Sequence, residues 1–203
     1  YDWSDTCSFQ PQTTEELQTA VDLWVSDNAT ALETYGEINT WDVSQITDMS
    51  WLFYQQTTFN DDISNWNVSN VTSMLNMFGN CESFNQDLSS WNVSNVVDMS
   101  GMFYGTTNFN VDISSWNVSN VTDMNSMFYD ATSFTGDLSG WNVSSVATMN
   151  SMFWGAEQFN SEISNWDVSS VTSMYYMFYG ATNFNGDISS WDVSNVTTMW
   201  GMF

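Results

Sequence analysis

Apolar positions recur along this chain at an interval of 25 residues, anchored on Trp41, Trp66, Trp91, Trp116, Trp141, Trp166 and Trp191. Val follows two residues later (Val43 to Val193) and Val or Ile five later (Ile46 to Val196). Met stands eight later (Met49 to Met199), Met or Leu eleven later (Leu52 to Met202) and Phe twelve later (Phe53 to Phe203). A second Phe column (Phe59 to Phe184) and an Ile/Leu column (Ile63 to Ile188) complete the unit. A fixed period of this length signifies a stack of coils, each burying its apolar side against its neighbours.

Within a coil, the β-branched and aromatic stretch from Ile63 through Trp66 to Val68 predicts a short strand. The i, i+3, i+6, i+7 spacing of Val71, Met74, Met77 and Phe78 predicts a helical turn or two, with Ser69 and its equivalents as N-caps. The expected fold is therefore an α/β solenoid of about seven coils, each a short parallel strand plus a short helix, with strands about 4.8 Å apart in one parallel sheet.

The segment before the repeat has a different pattern. Leu17, Val21, Trp24 and Val25 share one helical face, and Thr13 with Glu16 form a capping-box pair after Pro11, so one amphipathic helix is expected over about residues 13–26. Residues 1–35 thus read as an N-terminal cap and residues 36–203 as the repeat body, whose register begins near Gly36.

The unit Phe184-Asn185-Gly186-Asp187-Ile188-Ser189-Ser190-Trp191, with Val118-Ser119-Asn120-Val121-Thr122-Asp123-Met124, resembles the BspA-like leucine-rich-repeat surface proteins of bacteria and eukaryotic microbes. The leader EELQTAVDLW and the stretch YGEINTW are similar to that family's N-terminal cap, so the resemblance covers nearly the whole chain. It implies a leucine-rich-repeat-type solenoid, located outside the cell and used in adhesion or surface structure, with no catalytic residues to carry over.

Composition sharpens this picture. The chain has 24 carboxylates and no Lys, Arg or His, for a net charge of −24, so side-chain ion pairs cannot form and self-repulsion opposes compaction. Nucleic acid and anionic membrane are excluded as direct partners, because phosphate neutralisation needs cationic side chains. No apolar run approaches the length of a membrane span. His-based acid–base chemistry, Cys/His zinc sites, Lys Schiff bases and P-loops are absent by composition or pattern. The opening at Tyr1, without an initiator Met or an apolar leader, suggests a mature secreted product or a fragment, and the stop at Phe203 halfway through a coil suggests a longer parent.

Four sets of positions are candidates for function. Sequons occur at Asn28, Asn67, Asn70, Asn92, Asn117, Asn120, Asn142 and Asn195; seven of these fall in the columns one and four after Trp, where they also suit turn closure. The acidic column Glu37, Asp62, Asp87, Asp112, Asp137, Glu162 and Asp187 suits either turn capping or a row of Ca²⁺ sites, with no cofactor required. An aromatic row, Tyr54, Tyr104, Tyr129, Trp154 and Tyr179, is a candidate contact surface for sugars or proteins. The last coil, with Met199, Trp200, Met202 and Phe203, offers an apolar end suited to head-to-tail self-assembly. Cys81 stands where other coils carry Ala or Thr, and two alternatives stay open: a buried free thiol, or a bridge to Cys7.

These readings converge on a secreted, N-glycosylated, non-catalytic repeat protein serving as a subunit of an extracellular filament or surface coat. A module that binds surface glycans or proteins through the aromatic and Asn/Ser columns is the alternative.

Overall fold

The computed structural model describes residues 8–203. Its regular elements among the described residues all lie before Trp41: α1 (Thr14–Ser26), α2 (Asn28–Tyr35) and a 3-10 turn (Ile38–Thr40). Thr13 caps α1 by accepting from the Glu16 amide, and Asp27 between the helices caps α2 by accepting from Thr30. The chain announces α2 weakly because it buries only Ala31. From Trp41 onward, 25-residue coils stack one on another.

The expected strand-plus-helix coil is overturned. Among the described residues no strand forms, the coils contain no helix, and sheet pairing shrinks to one isolated parallel bridge per coil, from Asp48↔Ser73 to Ser173↔Thr198. The fold is therefore not an α/β solenoid of leucine-rich-repeat type.

The cause lies in where the backbone amides point. In the first coil Leu52, Tyr54 and Gln56 donate back three residues to Met49, Trp51 and Phe53, each closing a turn at 3.0–3.3 Å. The intervening Trp51, Phe53 and Gln55 donate outward instead, to Leu75, Met77 and Gly79 of the next coil at 2.8–2.9 Å. Such alternation requires positive φ at the third position of every other turn, seen at Trp51 (66°) and Gln55 (64°), the mark of a type II turn. Neither helix nor strand survives this reversal every four residues. Gly fits it without strain, hence Gly105 (64°) and Gly155 (65°) at the positions equivalent to Gln55. The threefold spacing of Val71, Met74 and Met77 is a run of turn corners facing inward, and Ser69 caps no helix; its amide donates to Asn67 Oδ1.

The core is continuous through the stack. Phe53, Phe78, Phe103, Phe128, Phe153 and Phe178 are buried and form a file of stacked rings with centroids 5.4–5.8 Å apart. The second Phe column packs beside it, with Phe103 and Phe109 at 3.8 Å. Each buried Trp also does polar work: Trp66 Nε1 donates to Ile38 O at 2.8 Å and Trp116 Nε1 to Leu88 O at 3.0 Å, both 28 residues upstream. The indoles follow one another as neighbours, with Trp41 and Trp66 6.3 Å apart and Trp166 and Trp191 6.4 Å apart. Among the described residues, no buried side-chain nitrogen or oxygen lacks a hydrogen-bond partner.

Helix α1 closes the first coil. Thr14 and Gln18, four apart on one helical face, donate to Asp48 O at 2.8 Å and Leu52 O at 3.1 Å. The equivalent carbonyls of the second coil, Ser73 and Met77, receive amides of the first. Trp24 adds a bond to Asp61 at 2.8 Å and packs edge-on against Trp41.

Trp116→Phe keeps the aromatic bulk but strands the buried Leu88 carbonyl. We expect a loss of about 1–3 kcal/mol of stability, measured by chemical denaturation; an unchanged midpoint contradicts the role given to the indole N–H.

Candidate functional site

The exterior consists of polar columns, and the structure shows how each is used. In the acidic column, Asp62, Asp87, Asp112, Asp137 and Asp187 each accept through Oδ1 from the amide of the Ser two residues on, at 2.9–3.0 Å. These are Asx turns, which a short carboxylate closes because it reaches its own backbone. Backbone and hydroxyl hydrogen bonds from Ser89, Ser139 and Ser189 hold Asp87, Asp137 and Asp187 below the usual carboxylate range. Ser114 does the same for Asp112, against opposition from burial and from Asp137 and Asp87 in adjacent coils. Glu37 and Glu162 occupy the same column; Glu162 is exposed. Among the described residues no group of three or more His, Cys, Asp or Glu side chains converges to hold a metal ion. One oxygen of each Asp in this column already serves its turn, and no Ca²⁺ centre is preformed among the described residues.

An inner polar file went unread in the sequence. It runs through the bridge positions seven after Trp and their neighbours two further on: Ser50 meets Ser73 at 2.8 Å, Thr148 donates to Asn125 at 2.7 Å, and the Asn150 amide donates to Asn125 Oδ1 at 2.8 Å. Two carboxylates fall next to each other here. Burial, with the charge of Asp98, pushes Asp123 up against the opposing Asn125 amide bond. Asp130 is raised by burial and then by Glu157. The signal available in sequence was the unbroken polar column Asp48, Ser73, Asp98, Asp123, Thr148, Ser173 and Thr198.

The aromatic row exists, but its rings cover one another. Tyr129 lies between Tyr104 (4.6 Å, 17°) and Trp154 (5.4 Å, 19°), so both its faces are occupied and only edges reach solvent. Trp154 also contacts Tyr179 at 4.6 Å and Tyr176 edge-on at 4.4 Å. Tyr54 leans over Gly79, where an added Cβ would stand 2.8 Å from its ring. A sugar stacks on an aromatic face, and this row presents few. In the last coil Trp200 and Phe203 are 63% and 69% exposed, Met199 is exposed and Met202 is buried.

Cys81 is fully buried, its Sγ donating to Phe53 O at 2.8 Å just as Thr106 Oγ1 donates to Phe78 O at 2.7 Å. Burial pushes its thiol up to about 12 against a backbone hydrogen bond from Gln56. Cys7, the other half of the bridge considered above, lies outside the described residues. The sequon residues of the repeat are exposed, and their amides divide into two kinds by column. Among the described residues no helix is long and apolar enough to cross a membrane.

The geometry defines a class first: a repeat protein of stacked, turn-built coils with an N-terminal helical cap. The family follows from comparison. A family model described as "Mycoplasma protein of unknown function, DUF285" matches residues 22–140 and 130–203, and the chain belongs to that family. No curated protein and no solved structure matches it.

Two measurements check these assignments. Carboxylates held low (Asp87, Asp112, Asp137, Asp187) stabilise the fold above about pH 3.8, and this contribution is lost as pH falls through their folded values. Raised groups (Asp123, Asp130) cost stability when ionised, and that cost is relieved as pH falls from neutral. Thermal unfolding should therefore show a maximum in mild acid, which Asp123→Asn flattens on its neutral side; a steady decline from pH 7 contradicts both. Cys81 should resist thiol reagents in the reduced, folded protein and react on unfolding; rapid labelling in the native state contradicts its burial.

Proposed function

We propose that the chain is a non-catalytic, exported structural repeat protein of the kind formed by BspA-like surface proteins, a rod whose sugar-bearing exterior is its working part. The observation that carries this reading is the commitment of its polar side chains. Asp, Asn, Ser and Thr columns close turns or bind the neighbouring coil, as with Asn70 on Ser44 O and Thr122 on Val97 O. Among the described residues no distinguished acid, base or nucleophile is set apart from this regular ladder in a pocket of its own. The resemblance of the repeat unit to BspA-like surface proteins supports the same reading.

The cap bears on how such a rod assembles. Growth of one chain on another through the coil ladder would need bare carbonyls on the first coil, and α1 occupies those of Asp48 and Leu52. We therefore favour a capped rod over a head-to-tail filament. Glycan binding through the aromatic row is the less supported alternative, because the ring faces are spent on one another.

Two experiments test the proposal. Antibody should label intact cells of the source organism; labelling only after permeabilisation would falsify the surface assignment. Sedimentation of the purified chain should give a monomer up to high concentration, with or without Ca²⁺, and fibres in either condition would reverse the preference for a capped rod.

A further inference from the structure

We infer that sugars on the repeat are confined to the sequons one residue after Trp (Asn67, Asn92, Asn117 and Asn142), and that Asn70, Asn120 and Asn195 stay bare. The inference rests on the exported reading above and deepens it by assigning the modified face.

The two columns use opposite ends of the same amide. In the first, only the oxygen is engaged: Asn67, Asn92, Asn117 and Asn142 accept through Oδ1 from the Ser amide two residues on, at 3.2 Å. Their nitrogens stay outside these bonds, on exposed side chains. The chain's own repeats show that no donor is needed there, because Asp42, Asp167 and Asp192 fill the same column and accept the same bond at 3.0–3.1 Å. Asn and Asp interchange where only an acceptor counts.

In the second column the nitrogen is engaged. Asn70, Asn120 and Asn195 donate through Nδ2 to Ser44, Ser94 and Ser169 of the preceding coil, each at 2.8 Å. Asn95, which opens no sequon, makes the same bond to Ser69 O at 2.7 Å. No acid occurs in this column; its other members are Gln45, Ser145 and Ser170, and Ser145 Oγ donates to Ser119 O at 2.7 Å. A position that must donate tolerates Asn, Gln and Ser but not Asp.

N-glycosylation forms an Nδ2–C1 bond and breaks the C1–O bond of a glycosyl pyrophosphate donor, with one Nδ2 proton released. In the first column this consumes a hydrogen the fold does not use. In the second it takes one of two hydrogens on a nitrogen already held against the coil below and sets a pyranose ring beside that coil, so modified chains pack less well and are depleted from the secreted product.

Secretion from a eukaryotic host that N-glycosylates, followed by deglycosylation in heavy-oxygen water and peptide mapping, reads each site. Occupancy should be at least about tenfold higher in the first column, the ratio a packing cost near 1.4 kcal/mol gives. Equal or reversed occupancy, or a product bare on both columns, overturns the inference. Sugar-free protein gives a second reading: Asn120→Asp should lower Tm by about 2–4 °C per kcal/mol lost, whereas Asn117→Asp should leave it unchanged. Equal shifts overturn the assignment of donor and acceptor columns. Selectivity in the host beside bare protein from the source organism would sink the glycoprotein reading while leaving the column assignment standing.

Discussion

Everything in this molecule depends on a backbone hydrogen bond that skips 24 residues. Met99, Gly101, Phe103 and Gly105 donate to Asp123, Asn125, Met127 and Tyr129, and the same four-bond set repeats from coil to coil. Because the rung is fixed at four bonds, the length between rungs is fixed too, and the 25-residue period is its imprint in sequence. From Trp66 onward the Trp indoles reinforce the register, each holding a carbonyl 28 residues upstream. A one-residue insertion would misalign both sets and carry a core side chain out of its file.

The inward columns were fully legible. Val, Met and Phe positions read as core are buried up to the last coil, where Val193, Met199 and Phe203 are exposed, and Thr13 and Glu16 mark the start of α1. What the sequence concealed was the local backbone. Spacing of three suits both a helix and a string of turns, and the turns are marked by positive φ at positions such as Asn76, Ser126 and Ser151. Those three residues are half-buried polar side chains, and Ser in particular occurs in turns and helices alike. Asn76 and Asn80, with Gly101, Gly105 and Gly155 in the same two columns, were the available hint, since Gly and Asn tolerate positive φ better than most residues.

The candidate surface was legible as columns and illegible as chemistry. The Asn column one after Trp and the Asn column four after Trp look alike until their bonds are seen, one accepting within its coil and the other donating to its neighbour. The aromatic row likewise reads as an open contact strip, yet Tyr104, Tyr129 and Trp154 spend their faces on each other. The extreme charge also finds its place. Carboxylates such as Asp87 and Asp112 lie in a column where turn hydrogen bonds stabilise the ionised form against the repulsion between adjacent coils.

The most direct test of this account is NMR detection of scalar coupling across individual hydrogen bonds in the deuterated protein, which identifies the carbonyl that receives each amide. Coupling from the Phe103 nitrogen to the Met127 carbonyl carbon, repeated at Phe128 to Met152 and Phe153 to Met177, is the predicted result. Coupling of those amides to carbonyls four residues upstream in their own coil would restore a helix there and contradict the turn-built stack.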